Sequence, residues 1–315
     1  MSIIEKALDK RRSSQPKVPP DTKANLAPGA PPAGDLRAPP VAPAAAQAAS
    51  EHPVRTSKQV NIDFGWLRRQ GIMVPGEKRS SLAEQYRHLK RPILNNAFGR
   101  QSVARVPKGR MIMVTSSLPK EGKTFTAINL ALSMALEVDR TVLLVDADVA
   151  RPALPRTLGF EADRGLMDVL TDPGIEIPDV LLRTNIPNLT ILPAGRFHAQ
   201  STELLASSAM VRLLEDLHNR YQDRIILFDS PPLLVTSESG VLATQMGQVI
   251  MVVEADNTPA SSVERAMEQL EGCDVVLTLL NKSTSVPGQS YGGGYYYSSQ
   301  EQDSTKAEGA KAHEG

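Results

Sequence analysis

Lys123 and Thr124 follow Gly122 at the point where an apolar run, Met111 to Ser116, gives way to an unbroken apolar-rich stretch from Phe125 to Leu136. A buried strand, a tight loop and a helix in that order form the context in which a loop cradles phosphate. The loop and helix N–H groups converge on one spot and hold polyphosphate oxygens. On this reading Ser117, Lys120, Glu121, Gly122, Lys123, Thr124 and Phe125 line the nucleotide, Lys123 reaches the outer phosphates and Thr124 ligates Mg²⁺. One position departs from the usual pattern. Ser117 stands where a glycine is expected, which works only if the backbone there needs no positive φ.

Two other apolar runs end in acids. Arg140-Thr-Val-Leu-Leu-Val-Asp-Ala-Asp148 places Asp146 and Asp148 at a strand end, and Arg224-Ile-Ile-Leu-Phe-Asp229 places Asp229 at another. Such an acid beside a phosphate loop holds the metal, directly or through water, so Lys123, Asp146, Asp148 and Asp229 form the candidate catalytic set. Thr124, Asp146 and Asp229 form the candidate metal set. A second acid pair suits phosphoryl transfer to an acceptor that must lose a proton; a tyrosine hydroxyl, with pKa about 10, needs such help. A structural ion pair between Asp148 and Arg151 is the plainer alternative.

The elements that position these residues alternate. Near-continuous apolar runs, including 249–253 and 275–280, are separated by amphipathic stretches, which predicts a mostly parallel central sheet covered by helices on both faces. Ligands bind such sheets outside the carboxyl ends of the strands, where all three motifs would meet if every strand runs the same way. Upstream, Ser81 and Glu84 match a capping box, and Pro92 is expected to end or kink the helix they begin. Glu84, Arg87 and Lys90 or Arg91 recur at three- and four-residue steps and are placed on one charged face.

Composition sets bounds. Lys+Arg and Asp+Glu both number 35, so bulk charge gives nucleic-acid binding no support. Cys273 is the single cysteine, too few for a disulfide framework or a cysteine metal cluster. No apolar run approaches the ~18–20 residues that cross a bilayer, and the first residues lack a secretory pattern. The expectation is a cytoplasmic protein that meets the membrane through a partner. The expected organisation is a short amphipathic helix at 1–12, a disordered Pro/Ala-rich linker at 13–57, a nucleotide domain at 58–282 and a flexible tail at 283–315. Four of the six tyrosines, Tyr291, Tyr295, Tyr296 and Tyr297, cluster in that tail around three glycines.

Together these stretches resemble the bacterial tyrosine kinases, a group with the P-loop NTPase fold. Val114–Thr124, Leu144–Asp148 with Arg151-Pro152, and Ile225–Pro232 look like that family's Walker A, A′ and B motifs. The tyrosine cluster resembles its autophosphorylation segment. Glu84-x-x-Arg87-x-x-Lys90 resembles its oligomerisation motif, with Lys in the last place. The N-terminal segment and the linker resemble the exosortase-associated autokinases of exopolysaccharide gene clusters. The resemblance implies ATP and Mg²⁺ as cofactors and phosphorylation of the tail tyrosines; transfer in trans is expected because an intramolecular route asks the chain to reverse sharply beside its own phosphates. It implies Asp146 near the metal as a base and Asn281 against the adenine. It further implies self-association, a membrane-embedded polysaccharide chain-length protein as activator, and a tyrosine phosphatase. Two departures stand out: Ala150 occupies the usual arginine place, one before Arg151, and Arg196-Phe-His-Ala-Gln-Ser201 replaces a proline-rich loop, with His198 incidental. The alternatives are a partitioning ATPase, whose signature lysine would fall at Leu118, and a non-catalytic scaffold gated by nucleotide.

Overall fold

The computed structural model describes residues 58–77, 80–99 and 104–284. They lie in the second of the chain's two units, 53–315; the first, 1–52, is outside them, as are the expected helix at 1–12, the linker at 13–57 and the four tail tyrosines.

Strand β2 (Met111–Ser116) is buried along its whole length. Beside it run β6 (Arg224–Asp229), β3 (Thr141–Asp146) and β5 (Leu189–Leu192) on one side, and β7 (Gln248–Glu254) and β8 (Val276–Asn281) on the other, all parallel. Side chains alternate between faces. Ile112 and Val114 join one core layer; Met111 and Met113 join the other. Helices α2 (Ser81–Phe98) and α3 (Lys123–Ala135) cover the first face. Helices α8 (Ser208–Arg220) and α10 (Ala260–Glu268) cover the second. Double coverage explains why the central strands read as continuous apolar runs.

Not every strand shares one direction. β4 (Leu182–Thr184) pairs antiparallel with β5, and β1 (Lys58–Val60) adds beyond it, parallel to β4. The reason is length. Residues 185–188 are too few for the crossover of a dozen or more that a parallel return requires. Asn188, at φ 65, completes the tight reversal, and the Thr184 hydroxyl accepts from the N–H of Ile186 at 3.1 Å. Asn185 then ties β1 in, accepting from the N–H of Ile62 at 2.8 Å.

Helix α2 also departs from expectation. Its N-cap is Ser80, whose hydroxyl accepts from the N–H of Ala83 at 3.3 Å, so Ser81 is the first helical residue. The helix does not stop at Pro92 but runs through it to Phe98. An interior proline costs about 3 kcal/mol. The buried stripe of Tyr86, Lys90, Ile93 and Ala97 outweighs that, while Pro92 itself faces solvent. The shorter helices are α1 (Phe64–Arg69), α4 (Leu154–Leu158), α5 (Leu166–Thr171), α6 (Ile177–Val180), α7 (Ser201–Leu205) and α9 (Glu238–Ala243).

Candidate functional site

β2, β3 and β6 end at one edge. Asp146 and Asp229 are direct partners across the β3–β6 register, and Val114 partners Asp229 on the other side. The loop from Ser117 to Gly122 leaves β2 at this edge. Its left-handed positions are Lys120, at φ 71, and Gly122, at φ 101; Ser117 is not among the positive-φ residues. The serine therefore meets the condition set for it. Gly122 has no such latitude, because a Cβ there would lie 2.0 Å from Nδ2 of Asn281. As N-cap of α3, Gly122 supplies no side-chain cap, so the first-turn N–H groups stay available to an anion.

The expected side chains converge. Nζ of Lys123 lies 2.6 Å from Oδ2 of Asp148, with both side chains largely buried. The Thr124 hydroxyl donates to Oδ2 of Asp229 at 2.7 Å. Oδ2 of Asp146 accepts from the N–H groups of Ala153 and Leu154, each at 3.0 Å, at the start of α4. Oδ1 of Asp146 and Oδ1 of Asp229 are buried with no hydrogen-bond partner.

Electrostatics follow from this crowding. Burial, with Asp229 alongside, pushes Asp146 up to about 8 against the pull of the Leu154 and Ala153 N–H groups. Burial lifts Asp229 to about 6, opposed by Lys123 and Thr124. For Lys123, burial works against the charge, but Asp229, Asp148 and Asp146 together hold its pKa above the ordinary lysine value. The edge thus carries more carboxylate than Lys123 neutralises, which suits a divalent cation. Among the described residues no three His, Cys, Asp or Glu side chains form a metal cage by themselves. Mg²⁺ does not require one, since it is ordinarily bound by one or two carboxylates plus substrate phosphates. The two unbonded carboxylate oxygens fit that pattern.

Other expectations fare differently. Arg151 does not pair with Asp148 through its guanidinium; its backbone N–H donates to Oδ1 of Asp148 at 3.2 Å, and its side chain is exposed. Asp148 has Lys123 as its ion partner, an option its spacing from Arg151 conceals. Asn281 lies against the phosphate loop, its Nδ2 donating to the carbonyl of Glu121 at 2.8 Å. The partly buried Phe125 side chain packs against the core. Lys90 is not on the exposed face with Glu84 and Arg87. Its place six residues from Glu84 leaves it about a third of a turn out of register, and its ammonium is buried, bonded to the carbonyl of Ser133 at 2.7 Å and to Glu137 at 2.5 Å. Glu84 and Arg87 do form an exposed pair at 2.6 Å. In the 196–201 loop, buried Asp168 accepts from the N–H of Arg196 at 3.2 Å, and His198 bonds only within its own turn.

Sequence reasoning missed the brace around the loop. The Glu121 carboxylate accepts from the N–H of Leu118 at 2.7 Å and from the Thr258 hydroxyl. Nζ of Lys282 donates to the carbonyl of Lys120 at 2.8 Å and pairs with Glu254 at 3.0 Å. Glu254 was detectable, as one more acid at the end of a buried apolar run.

A family described as an AAA domain matches residues 109–279. The chain is similar to the putative tyrosine-protein kinase EpsB of Ralstonia nicotianae, 32% identical over 166 residues, which is 52% of this chain and 21% of that protein. It therefore spans about a fifth of the length of that relative. Tyrosine-protein kinase CpsD of Streptococcus agalactiae serotype Ia is 30% identical over 180 residues, covering 56% of this chain and 75% of CpsD. Among solved structures, the VpsO kinase domain is 30% identical with a TM-score of 0.52, covering 63% of this chain and 96% of that one. The chimeric protein CapA2B2 is 26% identical with a TM-score of 0.56, covering 70% and 93%. With the phosphate loop, the paired strand-end acids and these relatives in view, the chain belongs to the AAA domain family and, within it, to the bacterial tyrosine kinases.

Proposed function

We propose that this chain is an ATP-dependent protein-tyrosine kinase that phosphorylates the tail tyrosines of a second copy of itself. The observation that carries the reading is the pair of buried, unbonded carboxylate oxygens of Asp146 and Asp229 beside the uncapped start of α3. Thr124 and Asp229 would hold Mg²⁺, with Asp146 beside it rather than bound to it, and the metal would supply charge neutralisation on the phosphates. Lys123 has its charge secured by three carboxylates and stabilises the transferring phosphoryl group. Asp146, lifted toward neutral pH, takes the tyrosine proton on Oδ1 as the new O–P bond forms and the bond to ADP breaks. Asp148 orients Lys123.

The domain reading, with the kinase body at 58–282 and the acceptors Tyr291, Tyr295, Tyr296 and Tyr297 beyond it, is part of this proposal. So is self-association through Glu84 and Arg87. A membrane-embedded chain-length protein as activator, an opposing tyrosine phosphatase and a role in exopolysaccharide production rest on the family resemblance. Attachment to the inner membrane through that partner rests on the same resemblance; no helix among the described residues is long and apolar enough to cross a membrane. A partitioning ATPase is disfavoured by Leu118, which stands where that group needs lysine.

The test is an anti-phosphotyrosine blot of purified chain with Mg-ATP. Wild type labels itself, and Lys123→Met loses at least about a thousandfold in rate while staying folded. An active chain with all four tail tyrosines changed to Phe labels the tail of the Lys123→Met chain. ATP hydrolysis by wild type with no phosphotyrosine would identify an ATPase instead.

A further inference from the structure

We infer that Lys282 is a positioning residue for the nucleotide, acting with Asn281 to fix the direction of two phosphate-facing N–H groups from outside the loop. The inference rests on reading 117–124 as the phosphate cradle. In a trans peptide the C=O of one residue and the N–H of the next point in opposite directions. Lys282 holds the carbonyl of Lys120 at 2.8 Å, which turns the N–H of Glu121 the other way. Asn281 holds the carbonyl of Glu121 at 2.8 Å, which turns the N–H of Gly122 the other way. Neither N–H has a hydrogen-bond partner among the described residues. Successive N–H groups turned to one side make an anion-binding concavity.

The backbone needs this hold. Lys120 is a non-glycine residue at φ 71, a conformation that a free loop relaxes out of. Its carbonyl is captured by a side chain that is itself pinned, since Lys282 pairs with Glu254 at 3.0 Å across the ends of β7 and β8. Glu254 and Asn281 are register partners there, so the two anchors move as one unit. Glu121 is held from its other end by its carboxylate bonds to Leu118 and Thr258. The strap therefore sets the loop in its phosphate-ready shape before any ligand arrives, and its contribution is the same for nucleotide and transition state.

Lys282 is about half exposed, so its replacement should leave the fold intact. The experiment compares wild type, Lys282→Met and Lys282→Arg in three measurements: ADP affinity by titration with a fluorescent ADP analogue, KM and kcat for ATP in autophosphorylation, and thermal midpoint without nucleotide. Lys282→Met is expected to weaken ADP and raise the ATP KM about tenfold, the scale of one lost charge-assisted hydrogen bond. Its kcat and midpoint stay near wild type, the signature of lost uniform binding. Lys282→Arg restores most of the affinity. Unchanged ADP affinity in Lys282→Met, or a fall in kcat with KM unmoved, overturns the inference. A wild type that binds ADP but makes no phosphotyrosine overturns the kinase reading instead, leaving the strap to stand or fall on the ADP titration alone.

Discussion

Asp146 is where the sequence says most and the surroundings add most. Its place at the end of an apolar run marks it as a site acid, but its protonation depends on neighbours no spacing reveals: Asp229 across the register and the N–H groups of Ala153 and Leu154. Because its folded pKa, about 8, exceeds the unfolded carboxylate value near 4, its proton stabilises the fold below pH ~4 and is lost as pH rises toward 8. Asp146→Asn cannot lose that proton and keeps an oxygen for the α4 N–H groups. In nucleotide-free, Mg²⁺-free buffer its stability gain over wild type should be near zero at pH 4 and grow to a few kcal/mol by pH 8. Urea unfolding of both proteins across that range checks this; a gain that shrinks with pH would mean Asp146 is not held protonated. Lys123, Thr124 and Asp229 were legible because their motifs are local. The partner of Asp148 and the role of Lys282 were not, because each contact depends on which strand ends lie side by side.

At the scale of elements, α2 shows how packing overrides local signals. Its charged steps and its proline were both readable, yet Pro92 neither ends it nor does Lys90 share its outer face. The apolar stripe decides which side is buried, and Lys90 comes with it. Its ammonium then caps the last turn of α3 through the Ser133 carbonyl, where a cation is favoured. Lys90→Met removes that cap and leaves a buried carbonyl without its donor, a loss of about 1–3 kcal/mol in chemical unfolding. Self-association should be unaffected. A variant as stable as wild type would show the carbonyl finds another donor.

For the molecule as a whole, the central sheet was legible because double coverage writes itself as apolar runs, whereas β1 and β4 were not. They are three residues each, with exposed positions, and carry no periodic signal of their own. The outer surface raises the question of assembly. Glu84 and Arg87 are both more than half exposed, so their pairing within α2 contributes ~0–1 kcal/mol and the helix does not depend on it. Changing both to Ala should shift unfolding by no more than about 0.5 kcal/mol. It should also lower the sedimenting mass of the unphosphorylated protein and slow labelling between copies. Identical sedimentation would return the pair to an ordinary solvated surface.

The hold of the last strand on the phosphate loop has a consequence in time. Glu121 and Asn281 are 160 residues apart. At a synthesis rate of ~5–20 residues per second, roughly 8–32 s pass between making the loop and making the residue that fastens it. A nascent chain can bury β2, β3 and β6 against one another in that interval while its nucleotide loop still lacks an outer anchor. The loop therefore gains its outer anchor only once the last strand of the sheet has been made, so its final shape is the latest part of the edge to be fixed.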